Sequence, residues 1–195
     1  MDLPASARGS QSGEVCEVSL SMSGASCHAA RGKHAACYPE PMAGKVVAIH
    51  RAPAEGAAME PCASAEIRAD FGLVGDRYAR PGTDSQLTLV SAEELGRAAA
   101  SLGLVIPPGA TRRNVTIENV ILPQQVGARL RLGDVLVEVT GPADPCRLME
   151  SCVGPGAREA LVGLAGVRAR VLEGGVLAIG ATVEVDSDSI RPRTS

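Results

Sequence analysis

A chain of 195 residues has room for one domain of ordinary size plus a tail, and can bury a core without disulfide or metal staples. Aromatic residues make up only 2% (one Phe, two Tyr, no Trp), so the core must be aliphatic; this and a formal net charge of −3 argue against nucleic-acid binding. No apolar run approaches the roughly 18 residues that a membrane-spanning helix requires.

Residues 1–43, rich in Ser, Ala, Gly and Cys, have no sustained periodicity and are expected to form a poorly ordered extension. No apolar stretch stands behind the charges of the first twelve residues, so the chain reads as cytoplasmic. The six cysteines (Cys16, Cys27, Cys37, Cys62, Cys146 and Cys152) then read as reduced thiols. Cys27, His28, His34 and Cys37 invite a zinc reading, but CH-x5-H-x2-C lacks the paired C-x2-C arm, and a loose extension is the better account. Of the three histidines, His50 is expected in a strand. A catalytic triad built on histidine has almost nothing to work with.

From residue 44 the sequence reads as short strands punctuated by Gly and Pro, up to a domain end near residue 186 and a polar tail over 187–195. KVVAIHR (45–51) and QLTLV (86–90) are strands. SAEELGRAAASLGL follows as a helix, with Ser91 and Glu94 in a capping-box pattern and Leu95, Ala98, Ala99 and Leu102 at helical spacing. RRNVTIE (112–118) returns as a strand, and RLRL (129–132) with VLVEV (135–139) reads as a hairpin around Gly133–Asp134. PGAREALVGLAG (155–166) is a short helix, and VRARVLE (167–173), VLAI (176–179) and TVEV (182–185) are closing strands. Strict βα alternation is absent. The expectation is a mainly β fold: a closed or partly closed antiparallel barrel with two or three short peripheral helices.

Three clusters carry residue types suited to chemistry. In ADPCRLMESC (143–152), Asp144 suits an N-cap, Pro145 the first helical position, and Cys146 the second. A thiol there meets the positive end of the helix and the charge of Arg147, conditions that favour a thiolate, both nucleophile and soft-metal ligand. Cys152, six residues on, lies about 240° around the helix and points elsewhere. The alternative is that Cys146 is a small buried hydrophobe. In TRRN (111–114), Arg112 and Arg113 alternate faces, so at most one enters a given pocket unless the strand ends there. Were they to converge, their forks would suit a phosphate or flat anion, with Asn114 adding an amide. In GLVGDRYA (72–79), Asp76 and Arg77 read either as part of such a site or as an ion pair.

These blocks, in this order, resemble the MOSC domain, named after the C-terminal domain of molybdenum-cofactor sulfurases, in its small stand-alone bacterial form. The resemblance runs from about Lys45 to Val185 through KVVAIHRAP, GLVGDRYA, QLTLVSAEEL, PPGATRRNVTIE, LRLGDVLVEVTGP, PCRLMESCVGPG and GVRARVLEGGVLAIGATVEV. It implies a β-barrel and a molybdenum cofactor, a molybdopterin dithiolene with a phosphate tail. The family cysteine falls on Cys146, as molybdenum ligand or persulfide carrier. Cofactor binding is assigned to Arg112, Arg113, Asn114, Asp76 and Arg77, with the phosphate on TRRN or Arg77.

Three functions follow. The first is a small molybdoenzyme reducing N-hydroxylated substrates, with electrons from separate donor proteins because no flavin, haem or iron–sulfur motif is visible. The second is a sulfur carrier whose Cys146 accepts a sulfane sulfur from a cysteine desulfurase. The third is a non-enzymatic module for a phosphorylated ligand, with Cys146 inert.

Overall fold

The computed structural model describes residues 43–189. Alternating apolar residues at the expected positions form the staves of a barrel. β1 (Gly44–Arg51), β5 (Leu87–Ser91), β6 (Val115–Glu118), β7 (Arg129–Leu132), β8 (Val135–Pro142), β9 (Val167–Glu173) and β11 (Thr182–Val185) run in the order β11-β7-β8-β9-β5-β6-β1. The pairing of β1 with β11, Gly44 opposite Val183, closes this seven-stranded ring. Closure removes the sheet edges that would otherwise stand open.

The β7–β8 hairpin turns at Gly133–Asp134 in the expected register, Leu132 opposite Val135, with Gly133 at φ 58°. Along β9 the burial alternates strictly at first: Val167, Ala169 and Val171 point into the barrel, while Arg168 and Arg170 point out. The interior is aliphatic throughout, from Val46 and Leu89 to Val137 and Leu177. An all-aliphatic core is what the near-absence of aromatic residues requires.

One pairing departs from the antiparallel expectation. β5 and β6 run parallel, Leu89 opposite Val115, because α1 (Ala92–Leu102) carries the chain back between them. Ser91 caps α1 by accepting from the Glu94 N–H at 3.2 Å. The capping box is only half made: Glu93, not Glu94, takes the Ser91 hydroxyl at 2.6 Å.

α1 lays Leu95 and Ala98 on the outer face of β5 at Val90. The same apolar layer holds Met149 of α2 (Arg147–Val153) and Ala157 of α3 (Ala157–Ala160). Pro155 lies before α3, and Gly156 at φ 81° is its N-cap. Gly166 passes so close to β5 that a Cβ there would stand 1.9 Å from the Leu89 carbonyl oxygen. A small second sheet, β10-β3-β4, unites β3 (Ser64–Arg68), β4 (Gly72–Leu73) and β10 (Gly175–Ala178), while β2 (Glu60–Cys62) extends β1 beside the barrel. No helix among the described residues is long and apolar enough to cross a membrane.

Candidate functional site

Cys146 stands at the N-cap of α2, with φ −122° and ψ 168°, so the helix starts two residues later than the sequence suggests. Asp144 is not the cap and Pro145 not the first helical residue. Arg113 holds the segment just ahead of the helix. Its Nη2 donates to the backbone carbonyls of Ala143 and, at 3.2 Å, of Asp144, and its Nε donates to the Ala165 carbonyl at 2.7 Å. These contacts tie the Ala143 and Asp144 carbonyls into the cleft wall, and the first turn begins with the Glu150 N–H on the Cys146 carbonyl at 3.0 Å. The Cys146 side chain caps nothing and is exposed. It is therefore not the buried small hydrophobe of the alternative reading. With only seven residues behind it, α2 contributes little dipole, and Arg113 is a charge placed beside the thiol.

The thiol opens into a cleft of about 280 Å³ on the outer face of β5 and β9. Tyr78, Thr88, Arg113, Asp144 and Arg168 share its walls with Cys146. Thr88 and Arg168 are cross-strand partners, and Arg168 Nε holds the Pro142 carbonyl at 3.0 Å. A Cβ on Gly141 would approach Arg168 Nη2 to 3.0 Å, so the glycine leaves room for that side chain. Burial pulls the Arg113 pKa down from its ordinary value; the negative charges available to Cys146, Tyr78 and Asp144 oppose this, and Arg77 adds to it. Arg113 Nη1 makes no hydrogen bond within the described residues.

The two adjacent arginines do not converge. Arg112 takes φ 63°, a left-handed conformation unusual for a side-chain-bearing residue, and it lines a different pocket, together with Cys152. Cys146 and Cys152 thus face separate cavities, as their helical separation predicts.

Asp76 and Asn114 serve as braces. The Asn114 side chain donates to the His50 carbonyl at 3.2 Å and to Asp76 Oδ2 at 3.0 Å. Its Oδ1 accepts from the Thr88 N–H at 3.1 Å and hydroxyl at 2.8 Å. Asp76 accepts from the Ala52 and Tyr78 N–H groups at 2.9 and 3.0 Å. Every polar atom of the Asn114 amide is committed to the protein, so the expected direct contact of Asp76 and Asn114 with a ligand gives way to a positioning role. The network ties β1, β5 and β6 together beneath the cleft. Arg77 lies over the Tyr78 ring, 4.3 Å from its centroid, and 3.9 Å from Asp76 Oδ2 with both side chains largely buried, so the pair is a structural ion pair and not a surface one.

Arg168 and Tyr78 were not singled out by the sequence reading. The alternation in VRARVLE places Arg168 outside the barrel, but only the covering 142–146 segment turns that position into a cleft wall. The Cys27–Cys37 cluster lies outside the described residues; among those described, no group of three His, Cys, Asp or Glu side chains is placed to hold a metal.

A family profile for the MOSC domain matches residues 72–184, more than half of the chain and all of the cleft. The chain belongs to the MOSC domain family. No functionally curated protein matches it in sequence. The fold is similar to the YuaD protein of Bacillus subtilis, at 19% identity and a TM-score of 0.64, covering 74% of this chain and 96% of that one. It is also similar to YiiM of Geobacillus stearothermophilus (21%, TM-score 0.61, 75% and 77% covered) and YiiM of Escherichia coli (18%, 0.55, 73% and 70%). At these identities the likeness concerns the fold alone. For this MOSC protein the family match and the cleft coincide: Asp76, Arg113, Asn114, Cys146 and Arg168 all fall within the matched residues.

Proposed function

We propose that the Cys146 cleft binds a molybdenum cofactor through the Cys146 thiolate, and that the protein is a small molybdoenzyme acting on N-hydroxylated substrates. The observation that carries this reading is an exposed thiol beside the largely buried Arg113 guanidinium and across from the exposed one of Arg168, in a cleft otherwise short of metal-binding side chains. The donor set fits the group. A thiolate is the soft ligand that molybdenum in a dithiolene accepts, and the Arg113 and Arg168 guanidinium groups suit a pterin phosphate. When bound, the cofactor supplies two-electron oxygen-atom transfer chemistry.

The chain's own part is ligation and orientation. Cys146 holds the metal. Arg113, pinned by three backbone carbonyls, presents its remaining Nη1 as a fixed donor rather than a flexible one. Arg168 stands on a β-strand and is held by the Pro142 carbonyl alone, so its charge is directed into the cleft by one bond where Arg113 has three. The Asp76–Asn114 brace keeps β5 and β6 in register beneath them. The substrate is a small molecule entering from the open side, and electrons come from separate donor proteins.

A second reading has one observation in its favour. The thiol is exposed, which suits a persulfide exchanged with a cysteine desulfurase. Molybdenum content separates the two. Protein purified from a host that makes the cofactor, analysed for molybdenum and pterin fluorescence beside Cys146→Ala, should carry metal only in the unsubstituted form. Metal-free protein bearing a Cys146 persulfide would support the carrier; equal metal in both samples would remove Cys146 from ligation.

A further inference from the structure

Arg112 presents a problem that the Cys146 cleft does not solve. Its side chain belongs to a residue only 6% exposed, yet among the described residues no carboxylate lies within ion-pair distance of it. One nitrogen, Nη1, donates to the Ala57 carbonyl at 2.8 Å; Nε and Nη2 are buried without a partner. A buried cation is ordinarily paired, and a buried donor ordinarily bonded, because removing either from water costs several kcal/mol. The neighbouring His50 adds a second orphan. It is 8% exposed with Nδ1 unpartnered, and burial lowers its pKa below the ordinary value, so the ring is neutral at pH 7.

Both residues lie at the bottom of one pocket of about 420 Å³. The loop Pro107–Pro108–Gly109 frames it, and Gly109 is required there. At φ 84° its backbone lies so close to the imidazole that a Cβ would stand 2.6 Å from His50 Cδ2. The rim is exposed and mainly apolar: Ala58, Pro61, Pro107 and Pro108, with Met59 partly covered and the Cys152 thiol at the edge. Arg77, whose Nη1 reaches the Met59 sulfur at 3.6 Å, is matched by Asp76. The pocket therefore has one unmatched positive charge at its floor, a neutral imidazole beside it, and apolar walls.

We infer that this pocket is a binding site for a small organic monocarboxylate, with its carboxylate on the Nε–Nη2 edge of Arg112 and its apolar body between the proline-lined walls. The side-on edge of a guanidinium presents two parallel donors at the spacing of carboxylate oxygens. One unmatched charge suits a monoanion; a phosphate dianion would lack a second cation and would set polar oxygens against Pro and Ala side chains. The site shares no lining residue with the Cys146 cleft and does not depend on the cofactor.

The two exposed cysteines of α2 supply the test, since Cys152 edges this pocket and Cys146 the other. The full-length protein is alkylated with iodoacetamide in the presence of increasing benzoate, and modification is followed by site-resolved mass spectrometry. Benzoate at ten times its Kd should slow Cys152 alkylation about tenfold and leave Cys146 unchanged. Arg112→Gln should weaken that protection at least tenfold, and Arg112→Lys less, because charge survives and the fork does not. Benzoate should also raise the melting temperature of the unsubstituted protein and not that of R112Q, which keeps the comparison usable if the variant is less stable. Absence of protection, equal protection of Cys146, undiminished protection in R112Q, or inorganic phosphate protecting as well as benzoate would each overturn the assignment.

Discussion

Arg112 and Arg113 are neighbours in the chain, buried or nearly so, and differ in almost everything else. Arg113 uses Nε and Nη2 on three backbone carbonyls and meets the cleft with what is left. Arg112 spends one nitrogen on Ala57 and leaves two without a partner. The left-handed turn at Arg112, φ 63°, sends the pair to opposite sides of the strand end. One arginine is thus part of the scaffold that shapes a site, and the other is a site in want of a ligand. A residue type alone does not separate these roles; the count of unspent hydrogen-bond donors does.

The contrast is broken most severely at the brace beneath both. Asn114→Asp removes two amide donors and sets a second carboxylate against Asp76 Oδ2, 3.0 Å from the present nitrogen. A loss of roughly 4 kcal/mol in unfolding free energy is expected, read by urea denaturation at pH 7. Next in size is the arginine pair itself. Arg113→Met leaves the Ala143 and Ala165 carbonyls, on buried residues, without their donor and should cost about 2–3 kcal/mol. Arg112→Met gives up one bond to a half-buried residue while removing an unmatched charge, so its cost should stay within about 1 kcal/mol. Equal costs would erase the distinction. Smaller still is Arg168→Gln: the side chain is exposed, so stability should change by less than about 0.5 kcal/mol, while molybdenum retained by protein from a cofactor-making host should fall severalfold.

Much of this was open to reading in the residues. RLRL, Gly133–Asp134 and VLVEV specify a hairpin by alternation and turn chemistry, and the hairpin forms in that register. The family blocks located Cys146, but the residues alone left open whether it is a reactive thiolate or a small buried hydrophobe; its exposure is read from the structure. What could not be read depends on distant contacts. The parallel β5–β6 pair arises because α1 finds an apolar bed on Val90, a tertiary matter that periodicity does not encode. The start of α2 falls two residues later than the local pattern suggests, next to a segment whose Ala143 and Asp144 carbonyls are held by Arg113, about thirty positions earlier. Nothing local to TRRN announces φ 63° at Arg112, since left-handed backbone signals itself only through Gly, Asn or Asp. Arg168 shows a third case: its outward direction was legible, but not the loop that arches over it.

The finest test of the contrast is a pH profile of the Arg112 pocket. Burial holds the His50 pKa below its unfolded value of about 6.5, so as pH falls through that value the unfolded chain takes up a proton that the folded one does not. Stability should therefore decline from about pH 6.5 downward until the folded His50 also titrates, with a slope of at most about 1.4 kcal/mol per pH unit, and be independent of His50 above it. The group sharing the pocket floor is cationic Arg112, without a facing carboxylate among the described residues, so protonation there would set like charges together. Urea midpoints between pH 5 and 7.5 should show this decline, and His50→Gln should flatten it. A carboxylate seated on Arg112 supplies the missing negative charge, so saturating benzoate should shrink the same decline. A profile unaffected by benzoate would mean that the two orphaned groups do not share one electrostatic environment.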